Sequence, residues 1–154
     1  MRKLFIVFAG ILTLLLQNLN LSAQPAERPI TWKFSLETGK EPGTYFIHAK
    51  AVIGKGWHVF APDPGGDGLL IPTTILPASG QKYTAKGPLK AEGKKIDHEM
   101  DGMGIVHYYE NEVDLILPVG NVKPGELKGI LTYQLCNDIM CLPPEDLPFT
   151  VSLN

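Results

Sequence analysis

Short runs of apolar or alternating residues dominate the chain after its first 30 positions. The segments TWKFSL (residues 31–36) and TYFIHAKAVI (44–53) alternate with period two, as half-buried β-strands do. Six further short runs follow, at residues 56–60, 69–76, 105–109, 112–119, 126–135 and 148–153. No segment of ten or more residues in this part has a helical apolar period, so the pattern predicts an all-β protein.

The number of runs, and the turns between them, predict an immunoglobulin-like antiparallel β-sandwich. The full chain contains 16 Gly and 13 Pro, which suit the turns between short strands. The usual immunoglobulin pattern of two distant cysteines around a core Trp is absent, because both cysteines lie close together near the end of the sequence. We therefore expect the hydrophobic core to hold the fold and the cysteines to serve another purpose.

The first 23 residues have the pattern of a cleaved secretory signal peptide. Arg2 and Lys3 precede an apolar run at residues 4–16, and Ala23 supplies a small residue before Gln24. The run is too short to cross a bilayer, and the alternative is an uncleaved N-terminal anchor. We expect an exported protein with a short leader at residues 24–29 and one domain at residues 30–154.

Charge and motif content exclude several functions. Loss of the signal peptide would leave 12 basic and 16 acidic residues, a net charge of −4, with no basic patch for nucleic acid. No second apolar stretch has membrane-spanning length. The sequence has no Gly-rich phosphate loop and no Gly-x-Ser-x-Gly motif, so we expect neither nucleotide chemistry nor serine hydrolysis.

The segment LTYQLCNDIMCLPPEDLPFTV (residues 131–151) holds the only two cysteines, Cys136 and Cys141. A disulfide is the expected state of such a pair in an exported protein. As a structural staple it would close a loop of six residues and stabilise the fold by about 2 kcal/mol, less than a bridge between distant strands would. A zinc site would need further ligands. The four histidines are too scattered to supply them, and we assign His48 and His58 to strand faces with no chemistry.

A redox role is the third possibility, since a close pair can cycle between dithiol and disulfide. The site differs from a Cys-x-x-Cys motif that opens a helix, because Pro143 and Pro144 follow the second cysteine. The nearby acidic residues Asp138, Glu145 and Asp146 would raise a thiol pKa rather than lower it. Such a pair would exchange disulfides better with a docked partner than with free thiols.

This segment resembles the periplasmic N-terminal domain of the DsbD family, the bacterial thiol–disulfide interchange proteins. The matching features are Thr132-Tyr133-Gln134 before Cys136, a short acidic link, and Cys141 followed by Pro143-Pro144-Glu145. GKGWHVFAP at residues 54–62 and LILPV at residues 115–119 are similar to other landmarks of the family. The link between the cysteines is one residue shorter here than in the best-known members.

The resemblance implies an immunoglobulin-like thiol–disulfide oxidoreductase component in the periplasm that needs no cofactor. It would relay reducing equivalents between a thioredoxin-like electron donor and disulfide-containing periplasmic acceptor proteins. Cys141 would be the attacking thiol and Cys136 the resolving thiol, a choice that the residues alone leave open. The sequence ends soon after its last predicted strand, so the membrane electron conduit of the family would act only in trans.

The resemblance also implies a loop that covers the cysteines. By position this cap would be Glu99, Met100, Asp101, Gly102, Met103 and Gly104. The two methionines would shield the sulfurs, since thioether side chains are pliable and pack well on sulfur, and the glycines would let the loop move.

Two alternatives remain open. Copper could bind His98, Met100, Met103 and His107, because thioether and imidazole ligands suit Cu(I) in an exported protein. A non-catalytic immunoglobulin-like binding module could carry the cysteine pair as a local structural disulfide. The plain interpretation of residues 98–107 is a polar loop that leads into a strand.

Overall fold

A computed structural model describes residues 28–153, and the predicted signal peptide lies outside these residues. Twelve β-strands make up the regular structure of this part, and no helix is assigned to it. The strands are β1 (Ile30–Thr38), β2 (Tyr45–Ile53), β3 (His58–Gly65), β4 (Thr74–Pro77), β5 (Thr84–Ala85), β6 (Lys90–Glu92), β7 (Lys95–Met100), β8 (Gly104–Glu110), β9 (Glu112–Gly120), β10 (Gly125–Tyr133), β11 (Leu135–Cys136) and β12 (Glu145–Leu153). Residues 28–153 therefore offer no helix that could span a membrane.

The strands form three antiparallel sheets. One sheet has the order β1-β2-β9-β5, with β6 also paired to β9. The second has the order β12-β10-β4, and the third has the order β11-β3-β8-β7. Every strand pair among the described residues is antiparallel, as the sequence predicts.

Alternating side chains of the predicted strands build the core between the sheets. On β2 and β9, every second residue is buried, namely Ile47, Ala49, Ala51, Ile53, Val113, Leu115, Leu117 and Val119. Phe34 of β1 stacks on Phe149 of β12 with ring centroids 4.4 Å apart. Trp32 of β1 meets Tyr133 of β10 edge-on at 5.3 Å. These contacts join β1 to the sheet of β10 and β12 across the core, which confirms the predicted immunoglobulin-like sandwich.

Gly129 of β10 is required by the packing at this interface. A Cβ atom at this position would clash with the Phe149 ring. A side chain there would push Phe149 away and break its stack on Phe34.

Two strand predictions need correction. The run at residues 69–76 forms a strand only at Thr74–Pro77, because Thr73 donates hydrogen bonds to Phe60 and Ala61 instead of entering a ladder. The polar segment at residues 98–107 is not a loop that leads into a strand, because residues 98–100 end strand β7 and residues 104–107 already belong to β8. The side chains of β7 are mostly exposed, so the strand has no apolar period. Asp101-Gly102-Met103 forms the turn of a β7–β8 hairpin.

The strand run at residues 126–135 crosses from one sheet to another. Its β10 part pairs with β12, and after Gln134 its β11 part pairs with β3. The chain then turns back through the two cysteines and enters β12. The cysteine pair therefore lies at the point where the chain leaves one sheet for another. Strand β11 before the link pairs with β3, and strand β12 after it pairs with β10.

Candidate functional site

Cys136 and Cys141 form a disulfide across a tight hairpin. Their Cα atoms lie 4.0 Å apart and they form an isolated antiparallel bridge. The amide of Asn137 donates to the carbonyl of Met140 at 2.9 Å, and the amide of Leu142 donates to the carbonyl of Leu135 at 2.9 Å. These hydrogen bonds close the hairpin on both sides of the disulfide.

Asn137 fixes the conformation of the four-residue link. Its side-chain oxygen accepts hydrogen bonds from the amides of Ile139 at 2.9 Å and Met140 at 2.8 Å. An Asn side chain commonly organises a turn in this way. The short link is therefore ordered by its own first residue.

The two cysteines differ strongly in exposure. Cys136 is 1% exposed, whereas Cys141 is exposed to solvent. The two residues before Cys141 are also apolar and exposed, since Ile139 is 91% and Met140 is 53% exposed. A partner in solution can therefore reach the site only from the side of Cys141.

The Thr-Tyr-Gln segment before Cys136 anchors the chain that follows Cys141. Tyr133 donates a hydrogen bond from its hydroxyl to Glu145 at 2.8 Å, and Gln134 donates from its side-chain amide to the carbonyl of Leu142 at 3.1 Å. Arg28 reaches the same segment, because its guanidinium contacts Glu145 at 2.7 Å and donates to the carbonyl of Pro143. The residues of the sequence motif thus form hydrogen bonds that connect the chain before Cys136 to the chain after Cys141.

Burial and the Glu145 carboxylate raise the pKa of Tyr133 to about 12. Its phenol therefore remains a hydrogen-bond donor throughout the physiological range. Its role is to hold Glu145 in place, not to exchange protons.

The other side of the disulfide faces a second, smaller buried cluster. Leu135, Val59 and Tyr109 contribute to the main core, so the residues next to them in sequence point to the opposite face of this sheet. That outer face carries Cys136 directly opposite His58, and His58 directly opposite Glu110. Although it faces away from the main core, Cys136 is buried there.

Aromatic and acidic side chains surround His58 on this face. The His58 ring lies 4.3 Å from the Tyr108 ring and 5.6 Å from the Phe60 ring, measured between centroids. Burial lowers the pKa of His58 below its ordinary value, while the carboxylates of Glu110 and Asp138 act in the opposite direction. Asp138, in the cysteine hairpin, also raises the pKa of Tyr108, after burial and Glu110. Asp138 of the hairpin therefore contributes negative charge to the surroundings of His58 and Tyr108.

The predicted cap residues form the tip of the β7–β8 hairpin. Met100 pairs with Gly104, and the turn between them contains Gly102, at a φ of 79°. Strand β8 runs from this tip to Glu110, which lies in register with His58 and Cys136. At about 3.3 Å per residue, the six steps from Gly104 to Glu110 separate the tip from the disulfide by roughly 20 Å along the strand. Shielding by this tip stays a prediction, and it requires the hairpin to adopt another position.

The four residues of the copper alternative are not brought together on one face. His98 lies opposite Val106 and Asp97 lies opposite His107, so the two imidazoles are on opposite faces of the β7–β8 hairpin. His107 instead binds Asp97 at 2.7 Å. Across residues 28–153, no cluster of three or more His, Cys, Asp or Glu side chains is arranged to hold a metal ion.

The sequence places His58 on a strand but does not reveal that it lies opposite Cys136. Alternation in GWHVF puts His58 and Phe60 on the same face, and that much is readable from the sequence. The pairing of His58 with Cys136 depends on two strands from distant parts of the chain. No local sequence pattern predicts the register between β3 and β11.

The fold and the disulfide together define a class of protein, an immunoglobulin-like β-sandwich with a cysteine pair in a hairpin between two strands. The chain belongs to the family described as thiol:disulfide interchange protein DsbD, N-terminal, whose profile matches residues 22–153. This confirms the resemblance that the cysteine segment indicated. A comparison with curated proteins returned no match.

Two solved structures show the same fold. The N-terminal periplasmic domain of ScsB from Proteus mirabilis is 17% identical with a TM-score of 0.54, and the match covers 80% of this chain and 45% of that chain. The N-terminal domain of Neisseria meningitidis DsbD in its reduced form is 18% identical with a TM-score of 0.52. That match covers 86% of this chain and 91% of that chain. The chain thus spans less than half of the ScsB domain structure that it matches.

Proposed function

We propose that this protein is a periplasmic thiol–disulfide exchange domain that works through Cys136 and Cys141. It relays reducing equivalents between a thioredoxin-like donor and oxidised periplasmic proteins. The observation that carries the proposal is the asymmetric disulfide, with one cysteine exposed at a hairpin and the other buried beside it. Family membership supports it, since the family is described as thiol:disulfide interchange proteins.

The exchange needs two steps. The Cys141 thiolate attacks one sulfur of a partner disulfide, so a mixed disulfide forms and the partner's second sulfur leaves as a thiolate. Cys136 then attacks Cys141, which restores the Cys136–Cys141 bond and releases the partner's first sulfur. The domain loses two electrons and two protons, and the partner becomes a dithiol. Reduction by the thioredoxin-like donor runs the same steps in reverse.

The assignment of roles rests on access. Attack on a large partner requires a sulfur at the surface, and Cys141 is exposed. Cys136 is 1% exposed, and its Cα lies 4.0 Å from that of Cys141, so it can act only within the hairpin. Cys141 is therefore the attacking thiol and Cys136 the resolving thiol.

The surface around Cys141 suits a docked protein. Ile139 and Met140 present exposed apolar side chains next to the reactive sulfur. Asn137 holds the backbone at both positions by hydrogen bonds. A partner that covers these side chains gains apolar contact while its own disulfide approaches Cys141.

The experiment is a transfer of electrons between proteins. The oxidised domain is mixed with a reduced thioredoxin-like protein, and thiols are blocked with a bulky alkylating reagent and resolved by gel shift. The proposal predicts reduction within minutes that is faster than with an equal concentration of free glutathione. A Cys136→Ser, Cys141→Ser double variant is the matched control and should accept nothing. No transfer to the wild-type domain would refute the proposal.

A further inference from the structure

Of the four histidines, His58 is the one that lies directly opposite a cysteine. Its Cα partner in the β11–β3 pairing is Cys136, and both side chains point to the outer face of the sheet. In such a pair the Cβ atoms are about 4.5–5.5 Å apart. His58 is 9% exposed and Cys136 is 1% exposed, so the two groups share a nearly dry environment.

The surroundings of Cys136 oppose the formation of its thiolate. To resolve a mixed disulfide it must become a thiolate, but burial disfavours the charged form of a thiol. Glu110 lies across His58 from it, and Asp138 follows two positions later in the hairpin. Negative charge on these groups disfavours the thiolate further. The buried thiol therefore needs a nearby group that removes its proton.

We propose that His58 accepts the proton of Cys136 during the resolving step and returns it to the sulfur that leaves. This inference rests on the proposed exchange function, and it assigns to the buried thiol the base that its environment requires. An imidazole is the side chain best suited to this role near neutral pH.

The groups that face His58 set its protonation. Burial lowers its pKa, and His98 on β7 acts in the same direction. Glu110 on β8 and Asp138 in the cysteine hairpin raise it, and the Tyr108 ring packs against the imidazole. The net shift in the pKa is downward, so His58 is neutral at pH 7 and able to accept a proton. The two carboxylates then stabilise the imidazolium that forms.

Atoms and electrons balance in this step. The Cys136 thiol gives its proton to His58, and the resulting thiolate attacks Sγ of Cys141 in the mixed disulfide. The Cys136–Cys141 bond forms, the bond between Cys141 and the partner sulfur breaks, and its electron pair leaves on the partner sulfur. The imidazolium then protonates this thiolate. In the reverse reaction the imidazolium protonates Cys136 as it leaves.

The test follows both chemical steps with a small aromatic disulfide, dithiobis(nitrobenzoate). The reduced domain releases one coloured thionitrobenzoate when Cys141 attacks and a second when Cys136 resolves. Rapid-mixing absorbance measurements give the rates of the two phases. A Cys136→Ser variant should release only the first equivalent, which assigns the phases.

The pH profile of the second phase is the decisive readout. With neutral His58 as the base, the wild-type rate should change less than about twofold between about pH 6.5 and pH 8. In His58→Phe and His58→Gln the rate should follow the thiolate fraction and rise about tenfold per pH unit in that range. At about pH 7 both variants should be at least about tenfold slower than wild type in this phase. The first phase should change much less, because Cys141 is exposed.

A matched control is His107→Gln, which removes a histidine from the opposite face of the β7–β8 hairpin. His107 binds Asp97 at 2.7 Å and is not one of the groups that face His58. Its profile should keep the flat wild-type shape. Thermal unfolding of each variant identifies any loss of the fold.

Three outcomes are distinguishable. A wild-type second phase that itself rises tenfold per pH unit overturns the role of His58, whether or not any variant folds. Folded His58 variants with the wild-type profile overturn it as well. Absence of any second equivalent from folded wild-type protein would instead overturn the proposed exchange function.

Discussion

The two halves of the disulfide lie in contrasting surroundings. Cys136 belongs to strand β11, is buried and lies directly opposite His58 of β3, whose ring packs against Phe60 and Tyr108. Cys141 lies at the end of a hairpin link whose last two side chains are exposed and apolar. One half is fixed by a sheet, and the other is presented to solvent. The difference shows how a single bond can be both anchored and accessible, as disulfide exchange with a protein partner requires.

The largest effect that should follow from this contrast is the trapping of a partner. Cys136→Ser should leave Cys141 in a stable mixed disulfide with a thioredoxin-like protein, because the resolving sulfur is gone. Non-reducing gels and mass spectrometry would detect the adduct. Cys141→Ser is the matched control and should trap almost nothing, since the remaining sulfur is buried. The opposite pattern would reverse the roles of the two cysteines.

The reduced domain should also show unequal thiol reactivity. We expect a bulky alkylating reagent to modify Cys141 at least about tenfold faster than Cys136, because reaction follows exposure as well as thiolate content. Peptide mass spectrometry at short reaction times would give both rates. Equal rates in the folded protein, with a fully denatured sample as reference, would contradict the asymmetry.

A smaller effect concerns the fastening of the segment after Cys141. Tyr133→Phe removes the hydroxyl that donates to Glu145 and should lower the free energy of unfolding by about 1 kcal/mol. Urea denaturation of the oxidised protein measures this change. Tyr45→Phe, at a half-buried tyrosine on β2, is the matched control and should cost less. Equal losses would show that the Glu145 contact contributes nothing specific.

The smallest effect concerns the β7–β8 tip. If this tip covers the disulfide as the family resemblance implies, Met100→Ala with Met103→Ala should speed reduction by a small thiol several-fold. Stability should change little, because a surface loop has few core contacts. The register of β8 places the tip away from the cysteines, so an unchanged rate with unchanged stability would remove the cap hypothesis.

Much of the fold was predictable because its core strands alternate visibly. The sequence indicated β2 and β9 almost residue by residue, since every second side chain enters the core. Strand β7 was missed because most of its side chains are exposed and only its partner β8 makes it a strand. The local sequence therefore predicts strands whose alternate side chains are buried, but it does not predict an exposed edge strand that is defined by its pairing.

The candidate site likewise has one part that the local sequence predicts and one part that depends on long-range strand pairing. The cysteine pair and its flanking motif are contiguous in the sequence, and this contiguity is what made the family resemblance visible. The contacts of Tyr133 with Glu145 and of Gln134 with Leu142 explain why these flanking residues accompany the cysteines. His58 escaped notice because its relation to Cys136 exists only once β3 and β11 pair.

The central claim is that the Cys136–Cys141 bond is a working redox bond and not a structural staple. Its reduction potential, measured by equilibration with defined ratios of reduced and oxidised dithiothreitol and glutathione, tests this most directly. The account predicts a potential above about −300 mV, within the range of exchange proteins. A potential clearly below about −300 mV would place the bond among structural disulfides and contradict the account.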